Sequence, residues 1–273
     1  MGIDRATYGT RVYLAIVAPL SANVAQVATG DTHALVRLTS GDTGSWGSNL
    51  SGELGAGATG GVSEDPVYVT GFSSSGTLRA SAVAAGADVS CLVTTTGAVK
   101  CWGDAYGGVL GSTLIDRATP GDTPIMSGAT DVTLGAYHAC AVVSGAVQCW
   151  GTNTYWQCGV GTGTPTYNPV TVPNVSNAVR VVAGREYTCA VSSTGVLTCW
   201  GRSNFGQAGP SSGNWQPTVI PLPAAVSAVA AGDNHTCALL TTGAVYCWGA
   251  NSSGQLGDNT KVLRLVPTRT VSQ

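Results

Sequence analysis

The sequence predicts an all-β fold built from five tandem copies of one hairpin-centred unit. Three observations predict it: a Trp-Gly pair recurring about every 50 residues, a tight-turn signal ahead of each pair, and a composition suited to strands. The 273 residues include 38 glycines, and only 10% are charged, with a net charge of −2. Abundant Gly, Thr, Ser and Val favour short strands and turns over helices. A weakly charged, near-neutral chain carries no electrostatic footprint for nucleic acid or anionic lipid. No stretch approaches the roughly 18 consecutive apolar residues of a membrane span, so no membrane insertion is expected.

The copies centre on Trp46, Trp102, Trp150, Trp200 and Trp248, each followed by glycine. Each Trp-Gly leads to a further glycine: Gly55, Gly111, Gly159, Gly209 and Gly257. The turn chemistry sets the strand register. In the second copy, Thr95-Thr96-Gly97 suits a three-residue loop with a left-handed glycine, which places Val93 opposite Val99 and Cys91 opposite Cys101. The third copy is one residue shorter. Its loop reduces to Ser144-Gly145, a primed-turn candidate, yet Cys140 still faces Cys149.

These cysteines fall at non-hydrogen-bonded positions, where paired α-carbons approach to about 4.5 Å, within disulfide reach. Four bridges are therefore predicted: Cys91–Cys101, Cys140–Cys149, Cys189–Cys199 and Cys237–Cys247. Each closes a short loop and stabilises by about 2–3 kcal/mol. The competing reading is four pairs of buried thiols in a reducing cell. The first copy lacks both partners at once, having Leu35 and Ser45. Bridges imply an oxidising compartment, extracellular or at the cell surface. No Cys-x-x-Cys spacing supports zinc. The ninth cysteine, Cys158, stands where other copies have Leu54, Leu110, Ala208 and Leu256, and reads as a small buried apolar residue.

The apolar run Val12 to Leu20 follows Arg5 and Arg11 and has the look of a signal peptide. However, Pro19 precedes Gly30 at the offset that recurs as Pro124 to Gly135, Pro173 to Gly184 and Pro221 to Gly232. Residues 1–23 therefore read as the tail of a preceding repeat, with no export signal visible. One repeat domain, 1–273, is expected, with repeats at 24–80, 81–128, 129–177, 178–225 and 226–273.

The pattern Gly-x-x-His-(Thr/Ala)-Cys-Ala followed by Cys-Trp-Gly-x-Asn-x-x-Gly-Gln-Leu-Gly is complete from His235 to Gly257. It resembles the signature of regulator-of-chromosome-condensation repeats, and the paired cysteines look like those of bacterial members, many of them exported. The resemblance implies a β-propeller of four-stranded blades around a shaft, in which each blade covers its neighbour. Members commonly form seven blades, whereas five are visible here and the tail-like segment 1–23 duplicates the end of a repeat. Three explanations stand: part of a longer protein, an open or smaller ring, or a spare strand that pairs with another subunit.

His33, His138 and His235 share one repeat position, taken by Val89 and Tyr187 elsewhere, which favours a structural role over a metal site. No nucleophile–base pair, phosphate loop or recurring carboxylate pair is visible, and Gly103 to Gly111 belongs to the repeat. Glu64-Asp65 reads as a solvated loop pair. No enzyme activity and no cofactor are expected. Specificity is sought where the copies differ. Tyr106, Tyr155, Trp156 and Phe205 follow the Trp-Gly pairs and, with Trp215, form a candidate aromatic rim; the long segment after Gly55, with Tyr68, is a candidate contact loop. The leading expectation is a protein-binding or surface-assembly module, with edge-strand pairing as one route. A carbohydrate-binding propeller is the alternative. Nucleotide exchange on a small GTPase, which the resemblance also implies, ranks below both.

Overall fold

The computed structural model describes residues 23–111, 114–125, 127–210 and 214–271, the side chains of Asn214 and Trp215 excepted. Most of the tail-like segment 1–23 and the Trp215 ring thus lie outside the described residues. Five antiparallel sheets of four strands follow one another, each with its strands paired in chain order. Blade 1 comprises β1 (Val24–Thr29), β2 (His33–Leu38), β3 (Thr43–Ser48) and β4 (Val62–Tyr68). Blade 2 comprises β5 (Ala80–Ala85), β6 (Val89–Thr94), β7 (Val99–Gly103) and β8 (Arg117–Asp122), with a 3₁₀ turn at Tyr106–Gly108. Blade 3 is β9 (Ala129–Leu134), β10 (His138–Val143), β11 (Ala146–Gly151) and β12 (Thr166–Thr171). Blade 4 is β13 (Ala178–Ala183), β14 (Tyr187–Ser192), β15 (Leu197–Gly201) and β16 (Asn214–Val219). Blade 5 is β17 (Val226–Ala231), β18 (His235–Leu240), β19 (Val245–Gly249) and β20 (Arg264–Arg269).

The central hairpins have the register that their turns require. Val93 pairs with Val99 and Cys91 with Cys101 across β6–β7. In the shorter β10–β11 hairpin, Ser144 and Gly145 both take positive φ, 50° and 81°, as a two-residue primed turn demands. Disulfides join Cys91–Cys101, Cys140–Cys149, Cys189–Cys199 and Cys237–Cys247, with Cα–Cα distances of 4.0–4.1 Å. Cys158 is free and buried, and burial pushes its thiol up to about 12.

The fourth strands are edges. All five carry a proline, at Pro66, Pro120, Pro169, Pro217 and Pro267. A proline has no N–H to offer an incoming strand, so these edges resist β-addition. The segment after Gly55 holds such a strand, β4. The exposed pair Glu64-Asp65 accordingly sits in a strand instead of a loop.

Repeated contacts join the blades. Trp102, Trp150, Trp200 and Trp248 are buried, and each indole N–H donates to a loop carbonyl of the preceding blade: Glu53 (2.9 Å), Val109 (2.7 Å), Gln157 (2.9 Å) and Gln207 (3.0 Å). Each of these rings packs with the preceding blade in an apolar cluster; Trp150 lies with Cys91, Cys101, Val93 and Leu110. Nearer the shaft, glycine allows backbones to meet. A Cβ on Gly30, Gly86, Gly135 or Gly184 would fall 2.1–2.6 Å from the carbonyl oxygen of Gly86, Gly135, Gly184 or Gly232, respectively. Polar brackets assist. Gln26 Nε2 donates to the Val83 carbonyl (2.9 Å) while Oε1 accepts from Val83 N–H (3.1 Å), and Asp131 accepts from Val181 N–H (2.9 Å).

Among the described residues the ring is not closed. The three atoms nearest a Cβ on Gly232 all belong to its own His235 ring, and no indole among the described residues reaches the Gln255 carbonyl, the counterpart of Gln207. His235 and Cys237 are partly exposed and Leu239 is exposed, whereas the corresponding Tyr187, Cys189 and Val191 of blade 4 are buried beneath blade 5.

Candidate interaction face

The histidine column belongs to the blade contacts. His33 Nε2 lies 2.9 Å from Ser90 Oγ, whose proton goes to the Glu53 carbonyl (2.8 Å). His138 repeats the relay through Thr188 Oγ1 (2.9 Å) to the Gln157 carbonyl (2.9 Å). A hydroxyl that donates to a carbonyl must accept from the ring, so both histidines are Nε2–H tautomers. Their buried Nδ1 atoms have no partner, and burial pulls their pKa values down to about 4 and about 3. Neutral, separately paired rings do not assemble a metal site. Among the described residues, no group of three or more His, Cys, Asp or Glu side chains is placed to hold a metal ion. Tyr187 occupies the same column, its hydroxyl 2.8 Å from Thr236 Oγ1 and donating to the His235 carbonyl (2.6 Å).

Two loops of every blade share one face of the molecule. The residue after Trp-Gly donates its N–H to the carbonyl just before the histidine column: Ser48 to Thr32, Asp104 to Asp88, Thr152 to Tyr137, Arg202 to Glu186 and Ala250 to Asn234, at 2.8–3.0 Å. The inner loops converge on a cavity of about 260 Å³ at the shaft mouth, lined from all five repeats. Arg185 stands there with Nη1 4.0 Å from Asp31 and 3.9 Å from Asp233.

Side chains that differ between copies crowd around this mouth. Burial first, then the charges of Glu53, Asp104 and Asp31, hold the Asp88 carboxyl above the ordinary carboxylate range. Burial and Asp88 likewise raise Tyr137, whose ring meets Tyr106 edge-on at 4.7 Å. On the next sector, Arg202 pairs with Glu186 and lies 4.5 Å over the Tyr155 ring. Such a face offers rings, carboxylates and guanidinium groups within one loop layer, which suits recognition of another surface.

A family model described as an RCC1-like domain matches residues 8–272. The chain belongs to the RCC1-like domain family. Among its relatives, the ultraviolet-B receptor UVR8 of Arabidopsis thaliana is 33% identical over 192 residues, 68% of this chain and 43% of that protein. The secretion-regulating guanine nucleotide exchange factor of Bos taurus is 29% identical over 168 residues, 55% of this chain and 36% of that protein. The chain thus spans less than half of the length of these two relatives. Prp20p of Saccharomyces cerevisiae, solved in a study of its binding to Gsp1p and histones, shares the fold. Its TM-score is 0.80 at 22% identity, over 91% of this chain and 63% of that one. Human WBSCR16 has a TM-score of 0.79 at 21% identity, over 92% of this chain and 67% of that one.

Within this RCC1-like frame the predicted aromatics separate. Tyr106 (63% exposed), Tyr155 and Phe205 are solvent-accessible on the loop layer. Trp156 is partly buried and takes a positive φ of 61°. Tyr68 is exposed but stands apart, at the far end of β4 opposite Gly44. Sequence reasoning missed Asp31, Asp88, Tyr137, Arg185, Glu186 and Arg202. The available signal was column variability: the position before the histidine column reads Thr32, Asp88, Tyr137, Glu186 and Asn234.

Proposed function

We propose that this RCC1-like propeller is a non-catalytic protein-binding module that docks its partner on the loop face around the shaft mouth, and that it works in an oxidising compartment. The observation that carries the reading is the division of labour between residues. Those shared by the copies are buried in blade contacts, while those that differ (Asp88, Tyr106, Tyr137, Tyr155, Arg202 and Phe205) gather on one loop layer. A mixed acidic, cationic and aromatic layer fits a polypeptide surface. One face of the Tyr155 ring is already covered by Arg202, which favours protein over sugar stacking. The four disulfides support the compartment. Prolines on all five described outer edges favour docking through loops over addition of a strand there.

The test is affinity for a partner captured with the folded chain, compared among variants. Tyr106→Ser with Phe205→Ser is expected to weaken binding by about tenfold or more, with the thermal transition unchanged because both rings are exposed. Tyr68→Ser should bind as the parent does. Loss of binding in Tyr68→Ser with none in the double variant would place the partner elsewhere.

A further inference from the structure

We propose that Asn174 is an acceptor site for an N-linked glycan, at the end of the propeller opposite the loop face. The proposal rests on the reading that the chain works in an oxidising compartment. An asparagine amide is an acceptor within Asn-x-Ser/Thr, with x other than proline, where the triplet lies on a surface loop. The sequence holds four such triplets, starting at Asn49, Asn174, Asn234 and Asn251. The fold engages three of them. Asn49 is buried, its Nδ2 donating to the Ala58 carbonyl (2.9 Å) and its Oδ1 accepting from Leu54 N–H (3.1 Å). Asn251 repeats this brace, donating to the Val262 carbonyl (3.1 Å) and accepting from Leu256 N–H (3.0 Å). Asn234 Oδ1 accepts from Gln207 Nε2 (3.3 Å). The hydroxyl of its triplet, on Thr236, is fully buried and donates to the Gln207 carbonyl (2.9 Å).

The triplet Asn174-Val175-Ser176 differs from these in every respect. It lies outside any strand, in the connection between β12 and β13, and both Asn174 and Ser176 are exposed. Pro173 and Asn174 form the corner of a turn, with Asn174 at a positive φ of 60°, a conformation that asparagine tolerates better than most residues. Neither the Asn174 amide nor the Ser176 hydroxyl has a hydrogen-bond partner among the described residues. The position is fixed by the blade. β10 starts from the loop face at His138, so its turn Ser144-Gly145 lies at the far end, where the Gly145 carbonyl accepts from Ala178 N–H (2.8 Å). The Asn177 carbonyl accepts from Ser193 N–H (2.8 Å), next to the turn of blade 4. A glycan on Asn174 therefore leaves the loop face open to a partner. The co-reactant is a lipid-linked oligosaccharide diphosphate, presented by a membrane oligosaccharyltransferase. Asn174 Nδ2 bonds to the anomeric carbon, the bond from that carbon to the phosphate oxygen breaks, and the lipid diphosphate departs. The amide gives up one proton, and no electrons are exchanged.

The experiment secretes the 273-residue chain from cultured human cells behind a cleavable leader. Thiol counting reports the bridges, and peptide mass spectrometry after glycosidase release locates every asparagine that carried a glycan. The expected product has its four bridges and a glycan on Asn174, with Asn49, Asn234 and Asn251 unmodified. Ser176→Ala should lose the glycan completely, and Ser176→Thr should keep it. Both should leave the thermal transition of the enzymatically deglycosylated chain unchanged, because Ser176 is exposed. A bridged chain with Asn174 bare, or with the glycan on one of the other three asparagines instead, would overturn the proposal and leave the compartment reading standing. A secreted chain without bridges would contradict the compartment reading, and the proposal would fall with it.

Discussion

Trp150→Ala is expected to lower unfolding free energy by about 3–5 kcal/mol, the range for removing a buried tryptophan. The ring is fully buried between blades 2 and 3, among Cys91, Cys101, Val93 and Leu110. Its loss opens a cavity against a disulfide and leaves the Val109 carbonyl, its acceptor at 2.7 Å, without that donor. Denaturant titration of parent and variant measures the difference. Trp46→Ala is the informative contrast. Trp46 is the least buried of the five central tryptophans, and no described residue accepts from its indole. Its replacement should therefore cost clearly less. Equal losses would mean that the indole contributes within its own blade, and the stacking role would fail.

Gly135→Ala should be nearly as damaging, by about 2–3 kcal/mol, the range for forcing extra volume into packed structure. The added Cβ would fall 2.6 Å from the Gly184 carbonyl oxygen and 2.2–2.4 Å from the His138 ring. Neither can yield cheaply: one is backbone of the next blade, and the other is a buried imidazole held by Thr188. For Gly232→Ala the three nearest atoms all belong to the ring of its own His235, which is partly exposed. A smaller shift in Tm is expected for that variant. Matching shifts would show that the clash with histidine, and not the approach of the next blade, sets the need for glycine.

Much of the fold was legible in the sequence because the repeat states its constraints five times. Turn length and glycine position determined the hairpin register, so the pairing of Cys140 with Cys149 could be read despite the shorter loop. Glu64-Asp65, expected in a loop, lies in a strand for a physical reason. β4 carries exposed Glu64 and Asp65 beside half-buried Pro66, and an edge strand lacking apolar alternation has no signal that separates it from a loop. The interaction face was only half legible. Aromatics such as Tyr106 and Phe205 stood out by type, but Arg185, Tyr137 and Asp31 lie far apart in sequence. They meet only because the inner loops of all the blades converge on one shaft. Spacing along one chain does not encode that convergence.

The most direct measurement is hydroxyl-radical footprinting of the chain, free and bound to its captured partner. Docking on the loop face predicts protection of Tyr106, Tyr137, Tyr155 and Phe205, with the exposed outer-strand residues Tyr68 and Val219 unchanged. Protection confined to Tyr68, Val219 and their strands, with the loop aromatics as reactive as in the free chain, would contradict it.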